Sequence, residues 1–296
     1  MNVTFDSGET FTCSYGRATR VPISFRDECR RTAELISQQA TAVGLTPAVL
    51  LSGGLDSEVL ALSFLDAGVP FRCDTFRYPN DLNAHEISNV IRFCATHGIQ
   101  TTFHDLDIYR WAFSKEAERL FFESQSAYFS LVPHMWLISR VHAEGGFPML
   151  GNGEVLMERT EAGWCYTEKE FALAWERHAV QNGIRGAMGF YQHTAEISLA
   201  AALDPRNVQL GTGQNAVANK LLKESAPIKY ALYRDHWPEL IPRKKFGGAE
   251  YVSKFFNART VELRARLPRG YNRQVLTPYA EFVALLQPEA LPNAGG

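Results

Sequence analysis

The sequence has no cysteine framework. Its five cysteines, Cys13, Cys29, Cys73, Cys94 and Cys165, are odd in number, scattered, and never spaced CxxC. That argues against a zinc knuckle, an iron–sulfur site or a disulfide-stapled fold. No 18-residue apolar run occurs, and the opening MNVTFDSGETF carries neither a basic nor an apolar leader segment. No membrane contact is therefore expected, and the expected location is cytoplasmic. There is no excess of basic charge either. Thirty Lys and Arg stand against 32 Asp and Glu, for a formal net charge of −2, so no global field recruits nucleic acid. A Walker A loop is missing, because no lysine follows the glycines at residues 53 and 54. An HExxH zinc motif is missing too, since Asn89 stands where His85-Glu86 would need a second histidine. What remains is an ordinary globular composition, 46% hydrophobic and 21% charged over 296 residues, enough for one large domain or two modest ones.

The chain then reads in three parts. Residues 1–45 read as short strands (VTF, TFTCSY, VPISF) followed by a helix over 26–43. From residue 46 to about 160, strand and helix alternate. AVLL (48–51), VPFRCDTF (69–76), IQTTFHDLD (99–107) and FPMLG (147–151) read as strands. Between them, helices are expected over 57–67, 83–97 and 133–146. The second shows Ile87, Val90, Ile91 and Cys94 at helical spacing and Gly98 as its stop. Alternation of this kind predicts an α/β fold with a doubly wound, mainly parallel sheet. Beyond about residue 165 the strand signals fade, and 161–290 reads as a helical lobe.

The most specific stretch is Ser52-Gly53-Gly54-Leu55-Asp56-Ser57, between an apolar strand and an apolar helix. Ligands of parallel sheets bind beyond the carboxyl ends of the strands, where this loop lies. Glycines without Cβ atoms let an anion reach backbone N–H groups, and a helix N-terminus adds positive potential. Ser52 and Ser57 supply hydroxyls. Asp56 suits a phosphate site only with a cation between them.

S-G-G-L-D-S resembles the pyrophosphate-binding PP-loop of the ATP pyrophosphatase superfamily, whose members cleave ATP between the α- and β-phosphates. Three further stretches resemble the synthetase domain of asparagine synthetase-type enzymes: CDTFRYPNDLNAHEISNVIRFCATHGIQTTFHDLD, SAYFSLVPHMWLISRVHAEGGFPMLGNGE and IKYALYRDHWPELIPRKKFGG. Together they cover roughly 46–250 in the family's order. The resemblance implies an adenine nucleotide alpha hydrolase-like fold and ATP and Mg²⁺ as cofactors. The implied activity is a ligase that adenylates a carboxylate, releases pyrophosphate, and passes the acyl group to ammonia or an amine. For the site it implies Ser52, Gly53, Gly54, Asp56 and Ser57 around pyrophosphate, with Leu50 and Phe76 or Arg77 near the adenine. Gly151 and Gly153 would belong to the fourth-strand loop, Asp56 and Glu154 would be metal-associated carboxylates, and Lys244 or Lys245 the lysine that neutralises phosphate charge. GNGEVLMER lacks the family's paired ADE, and Asn2 stands where amidotransferase relatives have a nucleophilic cysteine. The expected nitrogen source is therefore free ammonia, an amine or a separate glutaminase. Two alternatives share the loop: a nucleobase- or tRNA-modifying enzyme, and a non-catalytic nucleotide-binding subunit.

Overall fold

A computed structural model describes residues 2–4, 10–12, 16–126, 128–169, 173–214, 226–241, 249–267 and 274–288. After a small antiparallel pair, β1 (Asn2–Thr4) and β2 (Thr10–Thr12), the chain enters helix α1 (Phe25–Ala42). The strand expected at VPISF does not form. Ser24 instead caps α1, its hydroxyl accepting from the Asp27 N–H at 3.1 Å, and Phe25 starts the helix. The cap satisfies a first-turn donor that an extended segment would leave to water.

The central layer is a four-stranded parallel sheet in the order β5-β4-β3-β6, formed by β3 (Thr46–Leu50), β4 (Arg72–Arg77), β5 (Thr101–Asp105) and β6 (Gly146–Met149). Side chains alternate across β3, and the two faces bury different helices. Val49 and Leu51, with Cys73 of β4, enter the core built by α1, α2 (Leu55–Asp66) and α3 (Ala84–His97). Ala48 and Leu50 face the other way, onto Leu137, Ile138 and Val141 of the helix Val132–Ala143 and Ala179 of the helix Ala174–Gln181. Burial on both sides explains why β3 and β6 read as unbroken apolar runs. Gly98 ends α3 in the left-handed conformation at φ 65°, where a side chain would be strained.

The fading of strands past residue 165 needs correction. A second, three-stranded antiparallel sheet joins Met157–Thr160, Gly163–Lys169 and Gln274–Pro278, in the order β7-β8-β9. Its first two strands form a hairpin, and the third arrives from more than a hundred residues downstream. It packs against the helices Pro205–Gly211 and Tyr279–Leu286 through Met157, Trp164, Leu210 and Tyr279. The other described elements of this half are helical, among them Ala195–Leu203, Ala226–His236 and Ala249–Arg264. No helix among the described residues is long and apolar enough to cross a membrane.

Candidate active site

The turn between β3 and α2 is set by its own small side chains. The Ser52 N–H donates to the Ser57 hydroxyl at 3.1 Å, and the two hydroxyls lie 3.1 Å apart. The Ser57 hydroxyl reaches the Gly54 carbonyl at 3.0 Å, and the Gly54 N–H reaches the Ser52 hydroxyl at 3.3 Å. The first-turn N–H groups of α2 have no carbonyl four residues earlier inside the helix, so they point outward as a donor cluster.

Gly53 is also required by packing. Its φ is +74°, and a Cβ there would lie 2.6 Å from the Glu86 carbonyl oxygen of α3. The residue is glycine because the turn packs tightly onto a neighbouring helix. Gly151 plays the matching part on the other side, where a Cβ would lie 2.7 Å from the Asp56 carbonyl oxygen. The loop after β6 is thereby held against the start of α2. It is further pinned by the segment 186–191, whose Phe190 and Tyr191 N–H groups donate to the Leu150 and Asn152 carbonyls at 3.2 and 3.1 Å.

These loops open on a cavity of about 240 Å³ at the carboxyl end of the sheet. Leu50, Ser52, Asp56, Ser57, Phe76, Gly151 and Glu154 all line it, and Gly53 and Gly54 are not among its lining residues. Phe76 rather than Arg77 faces inward. Arg77 is exposed and forks onto Asp105 at 2.5 and 2.8 Å. The end of the cavity away from the serines is aromatic. Phe76 meets His134 edge-on at 5.6 Å between centroids, and His134 meets Trp175 at 5.4 Å. Burial pushes the His134 ring down to about 4, so it is uncharged at neutral pH.

Two carboxylates that line the cavity, Asp56 and Glu154, are bound by a residue to which the sequence reading gives no site role. Lys229, on the helix Ala226–His236, places its ammonium 2.8 Å from Glu154 Oε1 and 3.0 Å from Asp56 Oδ1. It is only 8% exposed, and Asp56 and Glu154 are 29% and 18% exposed. Burial opposes its charge, but the Glu154 and Asp56 carboxylates outweigh that and hold its pKa above the ordinary lysine value. One turn on, the Tyr233 hydroxyl donates to Asp56 Oδ1 at 2.8 Å, and from another segment the Tyr191 hydroxyl donates to the Asp56 carbonyl at 2.7 Å. Burial, then the negative charge of Asp56, pushes both phenols well up. Their rings stack at 5.9 Å, and Phe25 stacks on each. The signal in the sequence was the i, i+4 pair Lys229 and Tyr233 inside IKYALYRDHW, which share a helix face.

The structure therefore brings Asp56 and Glu154 together, as the resemblance implies, but around an ammonium group. Their oxygens are hard donors suited to Mg²⁺ in kind. With Lys229 in contact with both, however, the pair does not fit a divalent ion. A third carboxylate of the cavity, Asp74, is fully buried and committed to Arg72 at 3.0 Å and His104 at 2.8 Å. Among the described residues no group of three or more His, Cys, Asp or Glu is placed to hold a metal. Lys244 and Lys245 lie outside the described residues.

No protein-family model matches the chain, and no curated protein matches it. Among solved structures it is similar to an NMN synthetase from Francisella tularensis, at 12% identity over 76% of this chain and 100% of that one, with a TM-score of 0.36. It is also similar to an NH3-dependent NAD synthetase from Campylobacter jejuni (12%, 76% and 100%, TM-score 0.34). A third is the U34-tRNA thiolase NcsA from Methanococcus maripaludis (12%, 75% and 82%, TM-score 0.33). Similarity at this level fixes neither activity nor substrate.

Proposed function

We propose that the chain is an ATP-dependent, carbon–nitrogen bond-forming ligase of the asparagine synthetase-like kind. The observation that carries this reading is the convergence of two loops on one cavity, the Ser52–Ser57 turn and the Glu154 loop, whose carboxylates Asp56 and Glu154 are joined by Lys229 from the helix Ala226–His236. The aromatic end, between Phe76, His134 and Trp175, offers a base apolar surface and ring edges. The turn offers hydroxyls and helix N–H donors to the two outer phosphates.

In the proposed reaction a substrate carboxylate oxygen bonds to the α-phosphorus as the bond from that phosphorus to the α–β bridging oxygen breaks. Pyrophosphate leaves with the electron pair. An amine nitrogen then bonds to the acyl carbon, AMP departs, and the nitrogen loses its proton to solvent. The catalytic demand is positioning and charge stabilisation, with no protein nucleophile. Negative charge builds on the leaving pyrophosphate, and Lys229 is the buried cation beside that turn. Lys244 or Lys245 is proposed as a second cation on the sequence resemblance alone. Asp56 and Glu154 hold Lys229 charged and fixed in place.

A cysteine-dependent nucleobase or tRNA modification is less well supported. Cys29, Cys73, Cys94 and Cys165 are all buried, and none lines the cavity. The test is a pyrophosphate-release assay with ATP over pooled carboxylates and amines, followed by mass spectrometry of the product. The expected result is release that depends on a carboxylate, continues past one turnover only with an amine, and yields AMP and an amide. ATP binding with no release under any pool would favour a non-catalytic nucleotide-binding subunit.

A further inference from the structure

Lys229 is built into its place. Its ammonium faces Glu154 Oε1 at 2.8 Å and Asp56 Oδ1 and Oδ2 at 3.0 and 3.3 Å. The rings of Tyr230 and Tyr233 lie 5.1 and 5.9 Å from it, surfaces that also attract a cation. Asp56 Oδ1 is further occupied by the Tyr233 hydroxyl. The hydrogen-bond partners described for this ammonium, Asp56 and Glu154, are both acidic and together suit one positive charge at that point. A magnesium-like ion takes carboxylate oxygens at ~2.0–2.1 Å. Bound to these same oxygens it would sit beside the ammonium, and the two cations would repel in a half-buried setting where Coulomb forces are strong.

We propose that Lys229 is the resident cation of the Asp56–Glu154 pair and that it excludes hard divalent ions from these carboxylates in the free protein. Removing its charge with a neutral, similarly long side chain converts the pair into a divalent-cation site. The inference goes beyond the ligase reading, because it concerns the protein without nucleotide. Loss of pyrophosphate-release activity would leave it standing, and its failure would leave that activity standing.

The probe is Mn²⁺ alone, titrated into the full chain and followed through the spin-resonance signal of free Mn²⁺, with thermal melts in parallel. The expected results are no saturable Mn²⁺ binding by the parent below the millimolar range and no rise in its melting temperature. Lys229→Met and Lys229→Gln should bind one Mn²⁺ at least tenfold more tightly than the parent. Both variants lose a buried counter-charge, so Mn²⁺ should also raise their melting temperatures, or restore their fold if it is lost. Adding Asp56→Asn to either variant should abolish the gain. The proposal is overturned if the parent binds Mn²⁺ as tightly as the variants through a site that Asp56→Asn removes. It is equally overturned if neither variant gains affinity or is rescued by the ion.

Discussion

Lys229 Nζ lies 3.0 Å from Asp56 Oδ1, across 173 residues of sequence. The contact ties the helix Ala226–His236 to the turn at the end of the first parallel strand. Through Glu154 it also ties in the loop after the last one. The three segments that define the candidate site therefore share one buried positive charge, and its removal is felt by all of them.

Lys229→Met is accordingly expected to lower stability by about 3 kcal/mol, the order found when one member of a buried ion pair is deleted and its partners are left uncompensated. Urea unfolding of the metal-free protein measures this. A loss under about 0.5 kcal/mol would mean that the two carboxylates do not depend on the ammonium.

The two glycines of the turn should behave differently. Gly53→Ala places a Cβ 2.6 Å from the Glu86 carbonyl oxygen at φ +74°, so a loss of about 2 kcal/mol or more is expected. At Gly54 the backbone is extended (φ −86°, ψ 160°), and a Cβ would meet nothing nearer than the Ser52 hydroxyl at 3.2 Å. Gly54→Ala should cost less than about 1 kcal/mol. Melting temperatures of the two variants check the order, and equal effects would show that Gly53 does not pack on α3 as described.

Two half-buried groups give acid sensitivities of opposite sign. Burial holds His134 at about 4, below the ~6.5 of a free imidazole, so between these values the unfolded chain binds the extra proton. His134 therefore lowers stability as pH falls from about 6.5 to 4. Burial, with the nearby Glu168 charge, lifts Glu176 to about 7, so between ~4.3 and 7 the native chain holds the extra proton. Glu176 therefore lowers stability as pH rises through that range. Melts from pH 7 to 5 should show a smaller loss on acidification for His134→Gln than for the parent, and a larger one for Glu176→Gln. Losses equal to the parent's in both variants would place these groups in water.

Much of this architecture was legible in the sequence, because its signals are local. The apolar run at 48–51, the small residues at 52–57 and the spacing of Ile87, Val90, Ile91 and Cys94 each act within one element. The place of Ser52, Asp56 and Ser57 could also be foreseen from the rule that ligand loops lie at the carboxyl ends of parallel strands, and that of Glu154 from the resemblance. Non-local pairings were not legible. The strand Gln274–Pro278 has a half-exposed alternating pattern and finds its partner Gly163–Lys169 only through the fold. Lys229 belongs to the same class. Its i, i+4 relation to Tyr233 is visible, but that the shared face points at Asp56 is a tertiary fact. Gly53 reads as a phosphate-loop glycine, and only the position of Glu86 shows the packing that requires it.

The Ser52–Ser57 turn, with Asp56 and the Lys229 bound to it, is proposed to hold the pyrophosphate end of ATP during cleavage between the α- and β-phosphates. The most direct measurement is exchange of labelled pyrophosphate into ATP in the presence of a carboxylate pool, comparing the parent with Asp56→Asn. The parent should catalyse exchange that depends on the carboxylate, and Asp56→Asn should reduce it at least a hundredfold while its melt stays cooperative. Exchange at the parental rate in a folded Asp56→Asn variant would contradict the claim.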